Sequence, residues 1–191
     1  MEITVSYIMS QIFTIIMYGL LAITYYLKDR KNILIVSFLS VVANGIAYVF
    51  LHAYSGLAMC IIALIRNIVF IIDEKKNGKS DKMNKKDILI LVIVYMACII
   101  SAVFTYEGFL SLLSVFATMT YTFSVCQKDT KVYKVLGIPV GVLWVGYHIY
   151  IKSIFGVILE GILLICSITG YMLEIKGKKD VVKWKQLNFN K

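Results

Sequence analysis

Seven apolar runs of sixteen to twenty-one residues, separated by short charged segments, decide what this chain can fold into. They are Tyr7–Leu27, Ile33–Leu51, Leu57–Ile72, Ile88–Thr105, Phe109–Val125, Val135–Ile151 and Ile154–Leu173. An α-helix rises about 1.5 Å per residue, so about 17–25 residues cross the roughly 30 Å hydrocarbon core of a bilayer. Six runs reach that length, and the third, at sixteen, is a little short. Apolar residues make up 60% of the chain and charged ones only 16%. A soluble domain carries about 45–50% and about 25%, so a water-soluble fold would lack the polar surface to cover this much hydrocarbon. No run alternates as a barrel strand would. The expected fold is an all-α membrane protein of seven transmembrane helices, with the bilayer as its solvent.

The basic residues orient it. Eighteen of the twenty fall in the first, third and fifth loops and the C-terminal tail, on one side of the expected bundle. Lys152 alone faces the other side, and Arg66 lies within a run. Basic loops stay in the cytoplasm, so the N-terminus is expected outside and the C-terminus inside. Net charge +9 then reflects topology and attraction to anionic lipid headgroups, with no call for nucleic acid. Trp184 and Phe189 of the tail are suited to the interface. Glu2 stands where a signal peptide would be basic, and the first run is too long for one, so the first helix is expected to stay.

Displacing the sequence by 100 residues brings its landmarks into register. Lys28-Asp29-x-Lys31 falls on Lys128-Asp129-x-Lys131, Gly56 on Gly156, and Glu74-x-Lys76 on Glu174-x-Lys176. The register divides the chain into a first three-helix repeat (1–76), a basic loop and linker helix (77–108), a second repeat (109–176) and a basic tail (177–191). Three helices followed by one further crossing leave both repeats the same way up, the parallel plan found in some transporters, with a site near the midplane between them.

Polar groups inside the runs are costly, and so are the candidate site residues. Arg66 lies about 15 Å along the third helix from its outer end and Glu160 about 9 Å along the seventh, where they are placed to pair between the halves or to bind solute. Alternatively, Arg66 snorkels about 10 Å to the cytoplasmic face. Asn67 adjoins Arg66. Asn44 and Tyr48, one turn apart, correspond at the same displacement to Trp144 and His148, and i, i+4 residues share a helix face. A competing assignment puts Trp144, Tyr147 and Tyr150 in an interfacial aromatic belt. Pro139, between Gly137 and Gly141, is expected to kink the sixth helix and is a candidate hinge or packing point.

No catalytic constellation stands out. His52 and Cys60 are loosely similar to the His/Cys pair of the accessory-regulator peptidases. Here, however, His52 falls in an outer loop and the amphipathic N-terminal segment of those enzymes is missing. Cys60, Cys98, Cys126 and Cys166 lie in or beside apolar runs and are expected to pack as small hydrophobes. Neither metal nor cofactor is expected.

Trp144-Val145 through Tyr150, then Ser153-Ile154-x-Gly156 and Glu160-Gly161, resembles the corresponding stretch of the YgjV family of bacterial inner-membrane proteins. Ile65-Arg66 with its following apolar run resembles that family's third span, and Lys28-Asp29-Arg30-Lys31 its first loop. The resemblance covers essentially the whole chain and implies the bacterial plasma membrane. Its layout is similar to that of the SWEET sugar carriers and the nicotinamide-riboside carriers, three helices, a linker and three more, which move small neutral solutes by alternating access. This chain lacks the SWEET proline in the first helix of each half, and no substrate carries over. The sequence therefore suggests a small-solute transporter of SWEET-like 3-1-3 architecture. The rival is a non-transporting structural or partner protein, and a homo-oligomer is compatible with either.

Overall fold

The computed structural model describes residues 5–52, 54–77, 83, 85–104, 108–150 and 152–189. These form seven α-helices: α1 (Val5–Thr24), α2 (Arg30–Phe50), α3 (Tyr54–Asn77), α4 (Lys85–Phe104), α5 (Leu112–Cys126), α6 (Thr130–Tyr150) and α7 (Ile154–Phe189). A single 3-10 turn, Phe109–Ser111, leads into α5. No strand occurs among the described residues. Lys79 and Lys82 of the basic loop, the span ends Thr105 and Ile151, and the side chains of Trp184 and Phe189 lie outside what is described.

Among the described residues five helices, α1, α2, α4, α6 and α7 through Lys176, are long and apolar enough to cross a membrane. Helix α5 has fifteen residues and α3 carries Arg66 and ends in Asp73-Glu74-Lys75-Lys76. With its 3-10 turn, α5 reaches about 28 Å. Several helices exceed their apolar runs: α2 starts at Arg30, α6 at Thr130, and the tail continues α7 to Phe189. Hydropathy marks the part of a helix immersed in hydrocarbon, whereas backbone hydrogen bonding carries the helix into the polar interface.

Each helix packs on its neighbours in the chain, and α7 returns to α1, closing a ring. The shared core of Tyr25, Ile33, Leu34, Phe70, Val125, Cys126, Tyr133 and Leu163 is not central. Apart from Leu163, its members lie within about two turns of the ends where α1, α3 and α5 finish and α2 and α6 begin. The ring is therefore plugged at this basic end. Large apolar side chains such as Ile65, Val103 and Ile165 are exposed around the outside, as a lipid-facing surface requires.

Two ionic clasps reinforce the plug. Arg30 pairs with Glu74 and donates to carbonyls where α5 ends, from Nη2 to Cys126 at 3.4 Å and from Nε to Gln127, just beyond the helix, at 2.9 Å. Lys128 Nζ lies 2.7 Å from Asp73 and 3.3 Å from Asp87. Lys134 meets Glu174 at 2.7 Å, where Thr130 also donates. Arg30, Lys128 and Lys134, which the sequence shows as loop charges on the basic side, are thus buried and paired.

Local geometry recurs 100 residues apart. The αL residues that end α2 and α6 are His52, with φ 54°, and Lys152, with φ 56°. Their amides bond Val49 and Ile149 at the same 3.1 Å. Asp29 accepts from Ile33 and Asp129 from Tyr133 as α2 and α6 begin. Thr24 and Ser124 both bond back three residues, to Leu21 and Tyr121.

The α1–α7 seam depends on Gly170. A Cβ there would fall on the backbone carbonyl of Tyr25, which cannot swing aside as a side chain can. Gly170→Ala is expected to cost about 1–3 kcal/mol by overpacking, read as earlier thermal unfolding in detergent. Gly19→Ala and Gly161→Ala, whose added methyl meets nothing within 4 Å, should be neutral or gain up to about 1 kcal/mol.

Candidate solute cavity

Above the plug the ring is hollow. A cavity of about 450 Å³ is lined by residues of all seven helices. Tyr25 and Tyr121 lie at its basic end. Tyr25 stacks on Tyr133, with ring centroids 5.5 Å apart, and Tyr133 shares a 2.7 Å hydrogen bond with Thr24. At the other extreme Tyr48 and His148 stand two residues from the ends of α2 and α6. The lining therefore runs from mid-depth almost to the non-basic face.

Six of the seven residues singled out from the sequence as solute-binding face this space: Asn44, Tyr48, Arg66, Trp144, His148 and Glu160. The displacement of 100 that relates Asn44 and Tyr48 to Trp144 and His148 holds for further lining pairs, among them Tyr18 with Thr118 and Cys60 with Glu160. Trp144 and His148 stack at 5.9 Å, and Tyr147 meets Trp144 edge-on at 5.8 Å. Trp144 and His148 thus form an aromatic wall of the cavity, while exposed Tyr150 lies beyond it.

Arg66 does not snorkel. Its side chain is buried, at 3% exposure, in a network of neutral partners on three helices. Nη1 donates to Thr122 at 2.9 Å, while Nε and Nη2 share Asn67 Oδ1 at 3.3 and 3.2 Å. The guanidinium carbon stands 5.6 Å from the centroid of the Tyr121 ring, within cation–π range. Asn67 lies behind the cavity wall and donates to Ser37 at 3.4 Å, and Ser37 is bonded to Tyr121 at 3.1 Å.

Glu160 belongs to the opposite wall, where Tyr18 of α1 donates to its Oε1 at 2.9 Å. The suggested Arg66–Glu160 pair is therefore not formed: one residue is held by α3 and α5, the other by α7 and α1. Pro139 sits exposed on the outer face of α6, which runs unbroken from Thr130 to Tyr150. Its flanking glycines face inward, Gly137 against Tyr25 and Ser167 and Gly141 against Leu164.

Cys60 is buried on the cavity wall, and His52 is exposed at the turn ending α2. No group of three or more metal-ligating side chains occurs among the described residues. The residues not foreseen are Tyr18, Tyr121, Thr122 and Ser37. Hydroxyls inside apolar runs give little warning, but extending the displacement of 100 to the first and fifth helices pairs Tyr18 with Thr118 and Leu21 with Tyr121.

A family model, Imp-YgjV, described as bacterial inner membrane protein, matches residues 8–176. No curated protein and no solved structure matches the chain.

Proposed function

Because the chain belongs to the Imp-YgjV family of bacterial inner membrane proteins, we propose that it carries a small solute across that membrane by alternating access, without catalysis. The observation carrying this proposal is the cavity itself, to which all seven helices contribute and which a packed plug and ionic clasps close at one end. A protein serving only as a scaffold gains nothing from a hollow centre with a buried guanidinium that contacts no carboxylate among the described residues. In a membrane such a group is expensive and marks a pathway or binding site.

In this proposal α1–α3 and α5–α7 are two copies of one three-helix unit, a 3-1-3 SWEET-like arrangement with α4 as linker. The matched turns at His52 and Lys152 and the paired lining residues support a common axis along the membrane normal. With the basic loops taken as cytoplasmic, the plug faces the cytoplasm and the N-terminus lies outside, and the conformation is read as outward-facing. Transport is taken as facilitative, since no ion site is needed to account for the lining.

Cys60 supplies the test. In a chain keeping Cys60 but with Cys98→Ala, Cys126→Ala and Cys166→Ala, a membrane-impermeant maleimide added to intact cells should label Cys60 and block solute exchange. Exchange is measured by counterflow in liposomes with sugars, nucleosides and vitamins. Absence of labelling before denaturation, together with no exchange of any solute, would leave the structural-partner alternative in possession.

A further inference from the structure

Resting on the transport proposal, we infer that the solute carries a single carboxylate and that Arg66 anchors it. A guanidinium has five N–H groups and holds its charge at any physiological pH. Arg66 donates once each from Nε, Nη1 and Nη2 to Asn67 and Thr122, which leaves two N–H groups for a ligand. Its protein partners are all neutral, and no Asp or Glu lies within 4.0 Å of it among the described residues. A buried charge with no counter-ion in contact is strongly disfavoured. At the basic end, by contrast, the same fold supplies a carboxylate to each of Arg30, Lys128 and Lys134.

The counter-ion missing at Arg66 is supplied by the cargo. Charge-assisted bonds to a guanidinium are shorter and about twice as strong as neutral ones and fit a planar carboxylate edge. The site takes one negative charge. A single guanidinium balances a single carboxylate, and Glu160 on the opposite wall disfavours a second anionic group. Glu160, already accepting from Tyr18, has acceptor capacity left for a hydroxyl on the solute. The stacked Trp144 and His148 give a ring or other apolar body a surface to lie on.

Matched acids and amides test this, because each pair differs only in the charged group. Thermal unfolding and titration of the full-length protein in detergent would compare lactate with lactamide, 4-hydroxybenzoate with 4-hydroxybenzamide, and indole-3-acetate with indole-3-acetamide. At least one acid should bind about tenfold or more tightly than its amide and should exchange by counterflow in liposomes. Arg66→Lys should keep a weakened preference and Arg66→Gln should erase it. Should Arg66→Gln not fold, the wild-type comparison decides alone. An amide that binds as tightly as its acid, or a sugar or nucleoside that exchanges while no acid does, overturns the carboxylate and leaves transport standing. If no acid, amide, sugar or nucleoside binds or exchanges, both proposals fall.

Discussion

Lys128→Met should lower the stability of the bundle by about 3–5 kcal/mol, the usual cost of removing one partner of a buried ion pair. The ammonium sits 2.7 Å from Asp73 on α3 and 3.3 Å from Asp87 on α4, with Glu74 at 4.0 Å. All three carboxylates are at least nine-tenths buried. Methionine fills the same volume but leaves acidic groups crowded together without the cation between them. Thermal or denaturant unfolding in detergent reads the loss. Adding Asp87→Asn to Lys128→Met should restore part of it, and the double-mutant cycle gives the coupling. A loss under 1 kcal/mol would mean that the clasp is not what holds this end together. If the end also forms the inner closure, Lys128→Met should let an impermeant thiol reagent reach Cys98 from the cytoplasmic side, where the wild type resists it.

The second large effect separates stability from activity. Arg66→Met should reduce solute exchange about a hundredfold or more, the scale of losing one charge-assisted contact worth about 2–5 kcal/mol in a buried site. Unfolding temperature, however, should hold or rise. The substitution removes a buried charge that only neutral groups compensate, and apolar replacements of buried ions are often neutral or stabilising. Thr122 can turn its hydroxyl back to a carbonyl one turn earlier, as Thr118 does to Ser114. Asn67 keeps its bond to Ser37. A residue serving only as glue would behave the opposite way, with stability falling and no exchange to lose. Parallel melting and counterflow measurements on one preparation tell the two apart.

Much of the fold and of the site is legible in the sequence. Seven apolar runs place the seven helices, since burial of backbone hydrogen bonds leaves hydrocarbon no other use for such runs. Asn44, Trp144, His148, Arg66 and Glu160 were identifiable because polar groups at that depth are too costly to be accidental. What a linear pattern does not carry is azimuth. Depth alone lets Arg66 and Glu160 pair, but packing puts them on opposite walls. Lys128 and Lys134 looked like ordinary loop charges because side of membrane, not burial, is what a count of basic residues reports. Tyr18, Tyr121 and Thr122 escaped notice for a different reason: a hydroxyl on an otherwise apolar run changes hydropathy too little to register.

The closing contact between α1 and α7 has a mechanical consequence. On one side of the ring α3, α4 and α5 follow one another along the chain and are tied covalently. On the other, α1 and α7 meet without a covalent link, through Tyr18 to Glu160, Tyr26 to Thr169 at 2.9 Å, and the close approach of Gly170 to the Tyr25 backbone. The molecule is bound like a book, with a spine at α4 and a latch at the opposite edge. Parting the ring at this edge means breaking those contacts and no covalent bond.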